Sequence, residues 1–411
     1  MQTIIPGKIA GTLQAPASKS MMQRAIAIAC LAQGTSVLHG YTPSNDSDAA
    51  LLIAFVLGSD IETNGKTVTI EGNFAPRRST LSCGEAGLGI RMFTPIASLW
   101  HEKISLTGEG SLKKRPIATF VQPLRDLGVE INTYFGYVPV EVKGPLKGGS
   151  AKLDGSLSSQ ILTGLLIASP LAQHDTEFHV SNLKSKPYVD MTLQIMQDFG
   201  VEATNENYEK FHVRAQQSYV PQEYTVEGDW SGASFLLVAG ALGGTVRVEN
   251  LRIDSKQADI AILEALALAG AHIEKEERAV VVSHKELHAF QFDATECPDL
   301  FPPLVALAAH CSGTSVIKGV SRLQFKESDR AVVLQTECAK LGVRIENKGD
   351  EMCVYGGTVS GGRMHAHNDH RIAMAGACIA IRSPQPVEIE NPECVAKSYP
   401  DFFEEFGKIL G

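Results

Sequence analysis

The sequence lacks the features that mark several large classes of protein. No apolar run in its 411 residues reaches the ~18 residues that a membrane helix requires. The N-terminal segment has no charged stretch followed by an apolar one, so we expect no secretory signal. The eight cysteines form no C-x-x-C pair, and several lie within apolar runs. This usage predicts reduced, buried thiols in a cytoplasmic protein rather than a disulfide framework.

The chain also lacks positive charge. With 37 Lys and Arg against 46 Asp and Glu, its formal net charge is −9, which argues against binding to nucleic acid or to an anionic membrane. An anionic ligand would therefore need a local basic cluster. The 44% hydrophobic and 20% charged content is ordinary for a globular enzyme, and the length predicts two domains.

A repeat of about seventy residues runs through the chain. Six segments share a helical apolar stretch, then a glycine, then a short strand-like run, as in "VQPLRDLGVEI" and "VLQTECAKLGVRI". The repeated glycines are Gly58, Gly128, Gly200, Gly270, Gly342 and Gly407. We predict that each occupies a helix C-terminus in the left-handed conformation.

A second family of helices alternates with the first. These helices open with polar or glycine residues and continue as almost wholly apolar stretches, which predicts that they are buried. The result is six α/β units, each with a buried helix, an amphipathic helix and β-hairpins. The sixth unit ends without its hairpin, so residues 1 to about 15 are predicted to complete it. We therefore expect three units in residues 16–226, and three in residues 1–15 plus 227–411.

Polar and basic residues recur where these helices start. Free N–H groups and the helix dipole favour anions at such positions, and arginine binds carboxylate or phosphate with two parallel hydrogen bonds. The residues at the buried helices are Lys19, Ser20, Arg24, Gly87, Arg91, Ser158, Ser159, Gln160, Asp299 and Arg371. Those at the amphipathic helices are Arg115, Ser185, Tyr188, Lys326, Glu327, Asp329 and Arg330. Together they predict an anion site, although Asp299 could also serve only as an N-cap.

Several of these stretches resemble the motifs of the 5-enolpyruvylshikimate-3-phosphate (EPSP) synthase family. The motifs are "ASKSMMQR", "AGLGIR", "KRPI", "DGSLSSQ", "SKPY", "KESDR", "NDHR" and "AKSYPDFF", in the order and spacing of the family. The resemblance covers the whole chain. It implies an α/β fold of two domains, each built from three βαβαββ repeats with buried parallel helices, around a central cleft. It also implies transfer of the enolpyruvyl group of phosphoenolpyruvate to shikimate 3-phosphate, in the pathway to chorismate.

The resemblance assigns expected roles residue by residue. Shikimate 3-phosphate would bind Lys19, Ser20, Arg24, Ser158, Ser159, Gln160, Ser185, Tyr188, Asp299 and Lys326. Phosphoenolpyruvate would bind Lys19, Gly87, Arg115, Gln160, Arg330, Arg371 and Lys397. Asp299 is the expected base, Glu327 the expected acid, and Lys19 would assist proton transfer. We expect no cofactor, no metal and a monomer.

The chain departs from the commoner family pattern at three positions. Leu88 and Met92 stand where many members carry threonine and proline, and Arg322 stands where asparagine is frequent. We expect glyphosate to compete with phosphoenolpyruvate, but more weakly than in members that keep the threonine and proline.

Three other functions compete with this expectation. The sister enolpyruvyl transferase acting on UDP-N-acetylglucosamine shares the fold, but it carries a loop cysteine near the position of Arg115, and none occurs here. A non-catalytic phosphate-binding relative would be expected to have lost some of the catalytic residues, and all are present. A metal-dependent hydrolase could use the histidines of "HAHNDHR", although no partner motif accompanies them.

Overall fold

The computed structural model describes residues 1–357 and 359–411. The helices in chain order are α1 Lys19–Leu31, α2 Asn45–Val56, α3 Gly87–Ala97, α4 Val121–Asp126, α5 Gln160–Ala168, α6 Lys186–Asp198, α7 Trp230–Gly243, α8 Ile262–Leu268, α9 Phe301–Ala309, α10 Arg330–Lys340, α11 His370–Ala380 and α12 Phe402–Ile409. Two short 3-10 turns, Pro298–Leu300 and Pro392–Lys397, also carry candidate residues.

The strands alternate with these helices along the chain. They are β1 Gln2–Ile4, β2 Ile9–Gln14, β3 Gly34–His39, β4 Asp60–Asn64, β5 Thr67–Gly72, β6 Thr80–Ser82, β7 Lys103–Thr107, β8 Glu130–Tyr134, β9 Tyr137–Lys143, β10 Gly149–Asp154, β11 Thr176–Ser181 and β12 Ala203–Glu206. The remainder are β13 Lys210–Val213, β14 Glu223–Thr225, β15 Gly244–Glu249, β16 His272–Lys275, β17 Ala279–Ser283, β18 Gln291–Asp293, β19 Thr314–Lys318, β20 Arg344–Lys348, β21 Glu351–Tyr355, β22 Gly362–His365 and β23 Val387–Glu390.

Six small sheets repeat one design. Five have four strands, in the orders β14-β3-β5-β4, β6-β7-β9-β8, β10-β11-β13-β12, β16-β17-β15-β2 and β18-β19-β21-β20, and the sixth has the order β1-β23-β22. Each contains one parallel pair, such as β6 with β7 or β22 with β23. In the four-stranded sheets an antiparallel hairpin extends this pair. The α/β class and the repeated architecture predicted from the sequence are confirmed.

Contacts divide the chain into two compact units. The first unit is residues 19–226, and the second unit is residues 1–18 together with 227–411. Each holds three sheets and three buried helices, which are α1, α3 and α5 in the first unit and α7, α9 and α11 in the second. Almost every residue of α3, α7, α9 and α11 is buried, as their uniformly apolar sequences predict.

The N-terminal segment behaves differently from the prediction in one respect. β1 does complete the sixth sheet, where Gln2 lies opposite Ile389. β2 instead pairs in parallel with β15 of the fourth sheet, so the prediction that all of residues 1 to about 15 complete the sixth unit is wrong for β2. β14 takes the matching place beside β3 in the first unit. The partner of a strand is set by contacts with segments that are distant in sequence. The periodicity of the strand itself therefore does not predict its partner.

The repeated glycines follow the prediction at five of six positions. Gly58, Gly128, Gly200, Gly270 and Gly342 all have positive φ and end their helices. The prediction is wrong for Gly407, which lies inside α12, because that helix continues to Ile409 before Leu410 bridges to Ile9.

Two further findings concern composition. All eight cysteines are buried and free. Among the described residues, no helix combines the length and the apolar character that crossing a membrane requires.

Candidate active site

Asp299 of the second unit lies among three cations. Its Oδ1 accepts hydrogen bonds from Lys326 Nζ at 3.1 Å and Arg330 Nη1 at 2.7 Å, and its Oδ2 accepts one from Arg371 Nη2 at 3.3 Å. Burial by itself disfavours the charged carboxylate, but the three cations, led by Arg371, hold the pKa of Asp299 well below its usual range. The N-cap of α9 is Leu300, so the alternative of Asp299 as a cap is wrong.

Arg330 is the centre of a buried network at the start of α10. Its Nε and Nη2 donate to the two carboxylate oxygens of Asp369 at 2.8 and 3.1 Å, and Nη2 also donates to Glu327 Oε2 at 2.7 Å. Burial opposes its charge, yet these carboxylates together with Asp299 raise the pKa of Arg330. Asp369 is also the N-cap of α11 and accepts from the backbone N–H of Arg371. The network therefore fixes Glu327, Arg330 and Arg371 relative to one another.

Lys326 and Asp259 are perturbed by the same surroundings. Burial lowers the pKa of Lys326, and Asp299 opposes that change. Asp259 accepts a hydrogen bond from Ser231, and burial followed by repulsion from Asp299 raises its pKa to about 6, against the pull of Arg371. Asp259 thus adds a second carboxylate to the field around Arg371.

Lys397 ends the 3-10 turn Pro392–Lys397 and is buried. Its Nζ donates to the backbone carbonyl of Asn368 at 2.7 Å. Asn368 belongs to the loop that leads into α11, so this bond places Lys397 beside the segment that carries Arg371. Asp299, Lys326, Glu327, Arg330, Arg371 and Lys397 all belong to the second unit.

Lys19 opens α1 in the first unit and is paired with an acid that sequence reasoning missed. Its Nζ donates to Asp46 Oδ2 at 2.8 Å, and both side chains are largely buried. Asp46 lies in the first turn of α2, and Gln23 Nε2 donates to its backbone carbonyl at 2.9 Å. An acid in a helix first turn is common, so its position in the sequence gave no sign of a lysine partner.

Arg24 joins three helices of the first unit. Its guanidinium donates to Thr192 Oγ1 at 2.9 Å, to Thr163 Oγ1 at 3.3 Å and to the backbone carbonyls of Ser20 and Tyr188 at 2.7 and 3.4 Å. Burial lowers the pKa of Arg24 to about 10. Arg24 therefore orders the region around Ser20 and Tyr188.

Gly87 and Arg115 lie directly against each other. A Cβ atom added to Gly87 would come within 2.5 Å of Arg115 Nη1, so only glycine leaves room for the guanidinium. Arg91, one turn into α3, donates to the Gly87 carbonyl at 3.0 Å, to Gln160 Oε1 at 3.2 Å and to the Pro116 carbonyl at 3.1 Å. Arg91 thus brings Gly87, the loop of Arg115 and Gln160 together.

The remaining candidate residues lie at the starts of α5 and α6. Ser158 Oγ accepts from the backbone N–H of Gln160 at 3.2 Å, and Ser159 is the buried N-cap of α5. Ser185 is the N-cap of α6 with a left-handed φ of 58°, and Tyr188 follows in the first turn. These hydroxyl groups therefore lie at the helix starts where the sequence predicted polar binding residues.

The histidines of "HAHNDHR" have partners other than one another in the structure. Among the described residues, no group of three or more His, Cys, Asp and Glu side chains is arranged to hold a metal ion. His367 Nε2 lies 2.8 Å from Glu337 Oε1, and His370 is buried in the first turn of α11.

Known proteins resemble this chain in sequence and in fold. Residues 4–406 match the sequence profile of the family EPSP synthase (3-phosphoshikimate 1-carboxyvinyltransferase). A 3-phosphoshikimate 1-carboxyvinyltransferase of Clostridium perfringens (strain SM101 / Type A) is 36% identical over 99% of this chain and 98% of its own, and one of Haemophilus influenzae (strain PittEE) is 37% identical over 98% and 96%. The solved EPSP synthase of Acinetobacter baumannii superimposes with a TM-score of 0.85 at 28% identity, covering 99% of this chain and 98% of that one.

A more distant structure shows the fold alone. The enolpyruvyl transferase NikO from Streptomyces tendae superimposes with a TM-score of 0.80 at 18% identity, covering 99% of this chain and 96% of that one. With the family profile matched across nearly the whole sequence and close relatives aligned end to end, the chain belongs to the EPSP synthase family.

Proposed function

We propose that the protein transfers the enolpyruvyl group of phosphoenolpyruvate to the 5-hydroxyl of shikimate 3-phosphate, with release of phosphate. Membership of the EPSP synthase family supports this activity. The structural observation that carries the proposal is the buried cluster in which Asp299 contacts Lys326, Arg330 and Arg371. It combines an ionised carboxylate with cations that suit phosphate and carboxylate groups.

The proposed binding roles follow the helix starts. Shikimate 3-phosphate binds Lys19, Ser20, Arg24, Ser158, Ser159, Gln160, Ser185, Tyr188, Asp299 and Lys326. Phosphoenolpyruvate binds Lys19, Gly87, Arg115, Gln160, Arg330, Arg371 and Lys397. Arg24 is held by its own helices, so its part is to order Ser20 and Tyr188 as much as to attract phosphate.

The proposed reaction is an addition followed by an elimination. Asp299 accepts the proton of the 5-hydroxyl while the oxygen adds to C2 of phosphoenolpyruvate, and Glu327 protonates the methylene carbon to a methyl group. The tetrahedral intermediate then loses phosphate as the methyl group returns a proton, which restores the double bond. The surrounding cations stabilise the charge on the departing phosphate.

Substrate binding can raise the basicity of Asp299, which is weak in the free protein because three cations surround it. Arg371 is the leading cation that lowers the pKa of this carboxylate, and its contact is the longest of the three at 3.3 Å. An anionic substrate group that binds Arg371 competes for the guanidinium, and this raises the proton affinity of Asp299 when a base is needed. Arg330 is retained by Asp369 and keeps the carboxylate in place.

The test is release of inorganic phosphate from shikimate 3-phosphate and phosphoenolpyruvate, supplied together and singly. We expect release only with both, and an Asp299→Asn variant should lower kcat by about 10²- to 10⁴-fold because it removes the base. Asp293→Asn is the matched control, since that carboxylate is half exposed and its partners, Lys318 and the backbone N–H of Thr295, lie outside the cluster. No release by the folded wild-type protein would refute the proposal.

Two finer points also belong to the proposal. We propose that the protein acts as a monomer, since one chain supplies all of the proposed binding and catalytic residues, and that it works in the cytoplasm, where its eight free cysteines would stay reduced. Light scattering during gel filtration measures the first point, and a stable dimer at assay concentration would contradict it.

A further inference from the structure

The loop between β22 and α11, residues 365–369, is held from one side by a single buried carboxylate. Glu337 lies on α10, two turns after Arg330. Its Oε2 accepts the backbone N–H of His365 at 2.8 Å, and its Oε1 lies 2.8 Å from His367 Nε2. The Glu337 side chain is 3% exposed, whereas the His367 side chain is 42% exposed. The buried carboxylate therefore anchors an otherwise accessible histidine.

Glu337 is ionised in this position. Burial favours its neutral form, but hydrogen bonds from Lys340, from His367 and from the backbone N–H of His365 lower its pKa. Because a carboxylate can only accept, His367 must donate from Nε2. The Glu337 carboxylate therefore fixes both the orientation of the His367 imidazole ring and that of the peptide at His365.

The opposite side of the same loop is held by the segment that contains Lys397. Asn391 Oδ1 accepts the backbone N–H of Asn368 at 2.7 Å, and Lys397 Nζ donates to the Asn368 carbonyl at 2.7 Å. His367 and Asn368 both adopt left-handed backbone conformations, with φ of 53° and 57°. Two successive residues in this region persist only where surrounding contacts impose them.

We infer that Glu337 is a positioning residue for Lys397 and Arg371, acting through the 365–369 loop. α10 holds the loop at two points, since Arg330 binds Asp369 at its end and Glu337 binds His365 and His367 at its start. Without Glu337 the loop loses the contacts that impose its conformation, and the carbonyl that receives Lys397 moves. The consequence for catalysis rests on the proposed function, in which Lys397 and Arg371 bind phosphoenolpyruvate. The histidines of the "HAHNDHR" motif thereby serve an anion site instead of a metal.

The test compares Glu337→Ala with Glu337→Gln by steady-state kinetics. We expect the alanine variant to raise the KM for phosphoenolpyruvate about tenfold, while the KM for shikimate 3-phosphate stays within about twofold, because small displacements of a binding group are costly. Glutamine can accept from His365 and donate to a neutral His367, so it should recover most of the affinity. A purely structural role would change both KM values alike.

Two further variants complete the test, one as a control and one as a second probe of the loop. Lys340→Ala is the matched control, because it removes only the exposed partner of Glu337 and leaves the loop contacts. His367→Ala alters a largely solvated ring and should raise the same KM about threefold, even if the Glu337 variants fold poorly. Unchanged KM values for phosphoenolpyruvate in folded Glu337→Ala, or in His367→Ala, would overturn the inference.

Hydrogen exchange separates this inference from the proposed function. Measured without substrates, the amides of residues 365–369 should exchange faster in Glu337→Ala and His367→Ala than in wild type or Lys340→Ala. This holds whether or not the protein turns over shikimate 3-phosphate. Wild-type inactivity with the expected exchange pattern refutes the function alone, and equal exchange in all four proteins refutes the positioning role.

Discussion

Individual residues of the candidate site owe their charge state and position to partners that are distant in sequence. Asp299 is ionised because Lys326, Arg330 and Arg371 surround it, although burial alone would favour the neutral acid. The residue types at the helix starts predicted which side chains are candidates for binding an anion. Their pairing with Asp46 and Asp369 could not be predicted, because acids near helix ends are usually caps or solvated groups.

Acid should remove the contribution of Asp299 to stability. Its pKa in the folded protein lies below the unfolded value of about 3.9, so the stabilisation is present above that value and is lost as pH falls through the folded pKa. The free energy of unfolding of wild type minus that of Asp299→Asn should be positive at about pH 7 and shrink toward about pH 3. Urea titrations at several pH values measure this, and a pH-independent difference would contradict the assignment.

Asp46 should control the placement of Lys19. Asp46→Asn removes the charge partner of the Lys19 ammonium but keeps the size of the side chain, so Lys19 loses its fixed position. We expect kcat/KM to fall about tenfold, together with a loss of stability, because the largely buried Lys19 ammonium no longer faces this carboxylate. Asp48→Asn on the same helix turn is the control, and equal effects of the two variants would show that Lys19 does not depend on Asp46.

At the scale of elements, the helix starts were predictable and the strand partners were not. Uniformly apolar stretches predicted the buried helices α7, α9 and α11, and the structure adds that Asp229 and Asp369 are the N-caps of α7 and α11. The sheet to which β2 belongs could not be predicted in this way, because its local pattern is equally compatible with the fourth and the sixth sheet. The prediction for Gly407 failed for a related reason, since a repeat predicts a helix end only where the following hairpin is present.

The start of α3 provides a sharp test at this scale. Gly87→Ala places a Cβ within 2.5 Å of the Arg115 guanidinium, so Arg115 must move. We expect the KM for phosphoenolpyruvate to rise about tenfold, with a much smaller change for shikimate 3-phosphate. Gly89→Ala is the control, because its Cβ would meet the Ala86 and Cys83 side chains at 3.1 and 3.8 Å and would not approach Arg115. Kinetics indistinguishable from wild type in Gly87→Ala would contradict the role of this contact.

For the whole molecule, composition and repetition predicted the class of fold and resemblance predicted the family. A chain with net charge −9 holds its candidate anion-binding cations in largely buried positions of both units. The proposed chemistry uses Lys19 of one unit and Asp299 of the other, so replacement of either side chain should lower kcat by about 10²-fold or more. Under the proposed function, the histidine motif, which from sequence alone could have been a metal site, helps to position an anion site.

Metal removal provides a test at the same scale. The proposed steps use only side-chain carboxylates and cations, and the described residues offer no metal-binding cluster. Turnover should therefore be unchanged after exhaustive chelation and dialysis. Loss of activity that zinc or magnesium restores would contradict this account.

The most direct measurement follows the fate of both substrates in one reaction by phosphorus NMR. With shikimate 3-phosphate and phosphoenolpyruvate present, the account predicts that inorganic phosphate and a new phosphorylated enol ether appear in equal amounts, and that Asp299→Asn suppresses both. Phosphate formed from phosphoenolpyruvate without the enol ether, or no change in either substrate with folded protein, would contradict it.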